Sequence, residues 1–144
     1  MKRAIDKNPD AEVIFFLGDG ISDAEYTALD DKCRMWIAVR GNCDFSTVFR
    51  DRELNKTEEI TLVGKKIMLT HGDVYGVKGG TEKIILAARS RGADIVLFGH
   101  THVPHESYED GLYIFNPGSI SQPYYSFGVL MLTEKGVLLS HGSL

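Results

Sequence analysis

Five side chains of metal-ligand type follow apolar runs in this chain, at spacings that allow them to share one centre. His100 and His102 flank Thr101 directly after Asp94-Ile95-Val96-Leu97-Phe98. Two imidazoles one residue apart at a strand end can reach one ion or two adjacent ones. Three other runs end alike. Val13-Ile14-Phe15-Phe16-Leu17 leads into Gly18-Asp19, Trp36-Ile37-Ala38-Val39 into Arg40-Gly41-Asn42, and Lys66-Ile67-Met68-Leu69-Thr70 into His71-Gly72-Asp73. Gly, Asn and Asp are ordinary turn residues. Four such endings holding three histidines are better explained by a nitrogen and oxygen metal shell, suited to Mn, Fe, Zn or Ni more than to Ca. Asp19 has two anionic oxygens with which to bridge ions, and Asn42 supplies a neutral amide oxygen.

The elements that must carry these residues follow from pattern. Short unbroken apolar runs rich in β-branched residues read as strands buried on both faces, and in open α/β sheets the carboxyl ends of such strands border the functional crevice. The glycines beside the ligand candidates permit tight turns and close backbone approach. Ser22-Asp23-Ala24-Glu25 has the form of a capping box and predicts a helix running to about Met35. Glu82 to Arg91 reads as a second helix, with Thr81 as N-cap and Gly92 beyond its end. Met1 to Asn8 reads as the tail of a helix closed by Pro9.

Ile60–Val63 and Lys66–Thr70 flank Gly64-Lys65 as a hairpin, and Phe127–Leu132 with Gly136–His141 forms another. Phe45 to Lys56 reads as a loop, and Pro104 to Asp110 as a turn of the chain. Leu112–Phe115 reads as a buried strand ended by Asn116-Pro117-Gly118-Ser119. The glycine-rich stretch Val74 to Gly80 lacks the spacing of a phosphate-cradling motif and reads as a connection. Parallel βαβ units followed by antiparallel hairpins imply an α/β architecture of two packed sheets with helices outside.

A chain of 144 residues suffices for one domain with its own core, so residues 1–144 are read as a single domain. The formal charge of -4 argues against a stable nucleic-acid partner or a membrane surface, both of which need clustered positive charge. Cys33 and Cys43 form no CxxC or other metal spacing, which fits a reducing cytoplasm. Polar residues Asp6 to Asp10 stand where a signal peptide would have its apolar core.

The ordered set Gly18-Asp19, Gly41-Asn42-Cys43-Asp44, Thr70-His71-Gly72, Gly99-His100-Thr101-His102 and Asn116-Pro117-Gly118-Ser119 resembles the calcineurin-like metallophosphoesterases. Gly41-Asn42-Cys43-Asp44, Thr70-His71-Gly72 and Asn116-Pro117-Gly118-Ser119 look like their small single-domain prokaryotic branch, which also contains the small retromer subunit. The resemblance implies a four-layer α/β/β/α sandwich of two mixed sheets. It implies a metal-dependent phosphoesterase acting on phosphodiesters, in which two ions about 3.5 to 4 Å apart activate a hydroxide and clamp the phosphoryl group for in-line attack.

By the same resemblance, Asp19, Asn42, His71 and His100 hold one ion, and Asp19 and His102 hold the other with an Asp-x-His motif. No Asp-x-His occurs here, so the N-terminal strand and loop that carry it are expected to be missing from the chain, leaving one complete metal site. Asn42 and His100 are the catalytic candidates, with a small phosphate ester as substrate.

Cys43 stands where larger relatives carry a leaving-group histidine, and is expected to be a buried structural thiol. Asp44 and Asp73 adjoin ligands and are expected to orient them by accepting the second ring proton of a histidine. His105 and His141 are read as surface or structural. The alternative function is a non-catalytic interaction scaffold on the same fold. Strand edges left open by a missing first strand predict a homo-oligomer.

Overall fold

Apolar runs become strands here, and the layering follows from where their two faces point. The computed structural model describes residues 1–144. The order is α1 (Lys2–Asp6), β1 (Val13–Phe16), α2 (Ile21–Asp30), β2 (Met35–Ala38), β3 (Val48–Phe49), β4 (Arg52–Glu53), β5 (Thr57–Leu62) and β6 (Lys65–Thr70). A single 3-10 turn at Asp73–Tyr75 precedes α3 (Glu82–Ser90), β7 (Ile95–Phe98), β8 (His105–Glu109), β9 (Leu112–Asn116), β10 (Ser126–Thr133) and β11 (Gly136–Ser143).

A five-stranded mixed sheet in the order β5-β6-β7-β9-β8 forms the centre, parallel through β6, β7 and β9 and antiparallel at both outer pairs. All four residues of β7 are buried, as its unbroken apolar sequence requires. Met68, Val96, Phe98, Leu112 and Ile114 on one face of the sheet pack against Ile84 and Ala88 of α3. Ile67, Leu69, Ile95, Leu97 and Phe115 on the other face meet Phe15 and Ile37 from β1 and β2, and Leu130 and Leu139 from β10 and β11. The far face of β1 and β2, carrying Phe16, Trp36 and Ala38, is covered by Ile21, Ala24 and Ala28 of α2. These contacts give the expected α/β/β/α sandwich. Its second β layer is split into a parallel pair, β1-β2, and an antiparallel pair, β10-β11, with no hydrogen-bonded join between them.

Several local expectations are corrected. α2 starts at Ile21 behind Gly20 and ends at Asp30, so Ser22 and Glu25 form no capping box. Its first amides are bonded instead by Asp44, and Glu25 accepts from the Arg50 N–H. The β5-β6 turn sits at Val63-Gly64, one residue earlier than expected, because both residues take the positive φ (47° and 72°) that a tight hairpin turn of this hand needs. Phe45 to Lys56 contains the small β3-β4 hairpin. Pro104 to Asp110 contains β8, whose polar sequence is compatible with an edge position beside β9.

Candidate metal centre

The loops after β1, β2, β6 and β7 converge on His71, which is only 2% exposed. Its Nδ1 lies 2.7 Å from the Leu17 carbonyl oxygen. A carbonyl can only accept, so Nδ1 carries the proton and donates it, which in the neutral tautomer leaves the lone pair at Nε2. That Nε2 lies 3.1 Å from Asn42 Oδ1, 3.3 Å from Asp19 Oδ2 and 3.1 Å from His100 Nδ1. A proton on His100 Nδ1 would satisfy one of these approaches and leave the two oxygens still facing the lone pair.

Facing lone pairs repel unless a cation lies between them. Two ligand atoms each about 2.1 Å from one ion, at tetrahedral or octahedral angles, lie about 3.0 to 3.4 Å apart. All three separations at His71 Nε2 fall in that range. Ligand atoms of Asp19, His71 and His100 all lie within 4.8 Å of one another. The donor set therefore fits a divalent transition metal in both spacing and type.

Backbone geometry explains how distant residues come so close. A Cβ on Gly18 would stand 2.6 Å from the Gly41 nitrogen and 2.8 Å from His71 Nδ1, and one on Gly41 would collide with Asp19. The two loops can cross only where side chains are absent. Asp44 ties them together, its carboxylate accepting from the backbone N–H groups of Asp19 (2.9 Å), Gly20 (2.8 Å), Ile21 (2.9 Å) and Gly41 (2.8 Å). Burial opposes its charge, but these amides prevail and hold the carboxyl below its ordinary value. Asp19 at φ 61° and His100 at φ 66° both adopt the left-handed conformation, which costs a non-glycine residue roughly 1–2 kcal/mol.

His102 stays outside this cluster. It is exposed, with φ 63°, and is not among the converging ligand atoms. The loop leading to it is held from the other side: Asn116 Nδ2 donates to the Gly99 carbonyl and to Thr101 Oγ1, both at 2.9 Å. Asn116 is fully buried, and its Oδ1 also accepts from the Gly118 N–H. The turn bond was legible in Asn116-Pro117-Gly118, whereas the reach to Gly99 was not, because nothing local marks a partner so far along the chain.

Asp44 and Asp73 neighbour the centre without taking a histidine proton, which goes to Leu17. Asp73 Oδ2 instead pairs with Lys56 Nζ at 2.9 Å, and Lys56 also donates to the Gly41 carbonyl at 3.1 Å. Burial opposes the charge on Asp73, but the hydrogen bond and charge of Lys56 hold its carboxyl below the usual value. Its Oδ1 is buried without a partner.

Cys43 is exposed, contrary to the expected buried thiol; the charge of Asp19, then burial and a hydrogen bond to Asp19, push it up. Its Sγ accepts from Asn42 Nδ2 at 3.2 Å, which turns the amide oxygen of Asn42 toward His71. Burial is the first cause holding the His100 ring below the usual imidazole value, followed by His71 and Lys78, while Asp73 and Asp19 oppose. His141 donates to the Asn116 carbonyl at 2.8 Å and stacks on Phe115, and His105 contacts Ser107, so neither joins the centre.

The model of the calcineurin-like phosphoesterase superfamily domain matches residues 1–136. The chain belongs to the calcineurin-like phosphoesterase superfamily. Among the relatives of this phosphoesterase-family chain is the probable metallophosphoesterase YsnB of Bacillus subtilis, 33% identical over 123 residues, covering 84% of this chain and 68% of the relative. Phosphodiesterase YfcE of Escherichia coli is 32% identical over 98 residues, 66% of this chain and 50% of that protein. The chain thus spans from half to about two thirds of the length of these relatives. A crystal structure of a Vps29 mutant from Entamoeba histolytica superposes with a TM-score of 0.78 at 24% identity, covering 100% of this chain and 89% of that one. Members of this superfamily bind divalent metals, in keeping with the donor set around His71.

Proposed function

We propose that this chain is a divalent-metal-dependent phosphoesterase acting on phosphodiesters, with Asp19, Asn42, His71 and His100 as the ligands of one ion. The observation that carries the reading is the lone pair of His71 Nε2 facing the oxygens of Asp19 and Asn42 at separations suited to a shared cation. A bound ion of this kind supplies Lewis acidity, polarising a phosphoryl oxygen and lowering the pKa of water.

The protein's own residues do the positioning. Leu17 fixes the His71 tautomer through its carbonyl. The Cys43 N–H donates to Asp19 Oδ1 at 2.8 Å, which leaves Oδ2 for the centre. His71 is buried, whereas His100 is half-buried and Asn42 exposed, so the latter two border the open side from which a phosphate ester approaches. The identity of YfcE as a phosphodiesterase supports the diester as substrate class.

The test combines metal content with turnover. After manganese loading, about one ion per chain and hydrolysis of bis-p-nitrophenyl phosphate are expected. Asp19→Ala and His100→Ala should each lower kcat/KM by about 100-fold or more, since one ligand of the metal is lost. A chain that binds manganese, zinc, iron or nickel stoichiometrically and turns over no ester with any of them is instead a scaffold on a hydrolase fold.

A further inference from the structure

We propose that Lys56 is a positioning residue of the metal centre, its ammonium clamping the loop that carries Asn42 to the loop that carries His71. This inference rests on the metal-dependent phosphoesterase reading and names a side chain outside the ligand set. Asn42 and His71 come from different layers of the sandwich, yet Asn42 Oδ1 and His71 Nε2 stand 3.1 Å apart, a separation suited to a shared ion. The two atoms do not hold each other, because with the His71 proton on Nδ1 both are acceptors. Lys56 Nζ donates to the Gly41 carbonyl at 3.1 Å and to Asp73 Oδ2 at 2.9 Å. The Gly41 carbonyl belongs to the peptide group that leads into Asn42, and Asp73 lies two residues beyond His71. One ammonium thus spans both loops.

The lysine stem starts from a fixed point. Lys56 stands directly before β5, where the Asn55 carbonyl accepts from the Arg40 N–H at 2.9 Å and the Lys56 carbonyl accepts from Thr70 Oγ1 at 2.9 Å. These bonds tie its backbone to the last residue before each loop, since Arg40 precedes Gly41 and Thr70 precedes His71. Gly41 is also held on its other side, its N–H donating to Asp44 Oδ2 at 2.8 Å. The Lys56 and Asp73 side chains are 37% and 17% exposed, so water screens them less than it does a surface ion pair. Asp73 makes no second ion pair, and its Oδ1 is buried with no partner, so Lys56 is its one cationic partner. A purely electrostatic role and a positioning role predict opposite signs. Removing a cation beside a site for a divalent cation relieves repulsion and leaves the Asp73 carboxylate unopposed, which by charge alone tightens metal binding. Loss of the clamp lets the Asn42 and His71 loops drift apart, which weakens it.

The experiment titrates manganese into the metal-free parent, Lys56→Met and Lys56→Arg by calorimetry, with urea unfolding and turnover of bis-p-nitrophenyl phosphate measured on the same preparations. Lys56→Met keeps the apolar stem and should bind manganese about tenfold more weakly, and the manganese concentration for half-maximal turnover should rise by the same factor. Lys56→Arg, whose guanidinium offers donors to both oxygens, should stay within about threefold of the parent. Lys56→Gln, neutral and one atom shorter, should match Lys56→Met and serves in its place if that variant does not fold. Unchanged or tighter manganese binding in a folded neutral variant overturns the proposal, as does an equal loss in Lys56→Arg. If neither neutral variant folds, the pair serves stability and the proposal falls. If the parent binds manganese but hydrolyses nothing, the enzyme reading fails, and weaker binding in the neutral variants still upholds the clamp. A parent that takes up no manganese, zinc, iron or nickel overturns both.

Discussion

Asp19 and His100 at the centre, and His102 beside it, are held in a conformation that a chain would not choose for stability alone. Asp19, His100 and His102 all have positive φ, and none is a glycine. Exposed His102 is the cleanest place to measure this. His102→Gly should raise stability by up to about 1 kcal/mol in urea unfolding of the metal-free chain, because glycine accepts the left-handed conformation without a Cβ clash. Asp44 shows the opposite balance. Asp44→Asn replaces an acceptor of four amide hydrogen bonds with a group that presents its own donors, and should cost about 2–4 kcal/mol by denaturant unfolding. The folded-state pKa of Asp44 is lowered, so its contribution is complete above its ordinary value of 3.8. That contribution is lost as pH falls through the lower folded value. Acid unfolding of the parent should therefore steepen below pH 3.8, and Asp44→Asn should flatten that part of the curve. Residue types at the centre were readable from spacing, since Asp19, Asn42, His71 and His100 all follow apolar runs. Their φ values and the Leu17 proton acceptor were not, because backbone carbonyls carry no sequence signal.

At the level of elements, local pattern located the strands and missed contacts made at a distance. Ser22 and Glu25 have the spacing of a capping box, yet the amides at the start of α2 belong to Asp44 from the loop after β2. Ser22→Ala should therefore change stability by no more than about 0.5 kcal/mol, where loss of a working N-cap costs about 1. Asn116 is a second tie of this kind, linking β9 to the loop after β7. Asn116→Ala should destabilise the chain by about 2–4 kcal/mol and weaken manganese binding, because the buried Gly99 carbonyl loses its donor and the His100 loop loses its anchor. Calorimetry of manganese binding alongside urea unfolding separates the two effects. β8 escaped the sequence reading because a short polar edge strand has neither an apolar run nor strict alternation.

Across the whole molecule, the order of apolar runs was enough to give the sandwich, and the division of its second layer was not, since pairing partners are set by three-dimensional packing. The centre draws donors from both layers: Asp19 and Asn42 follow β1 and β2, while His71 and His100 follow β6 and β7. An ion held there joins the layers and should stabilise the fold by about 2.7 kcal/mol at 100 times its dissociation constant. Differential scanning calorimetry should accordingly show a Tm that rises with added manganese and falls back when a chelator is present. The split layer has its own signature in isotope labelling. β1 and β2 pair only with each other, as do β10 and β11, so each of these strands has a flank whose amides face no neighbouring strand. Deuterium should enter along those flanks first, while the amides shared among β6, β7 and β9 retain their protons until the molecule opens as a unit.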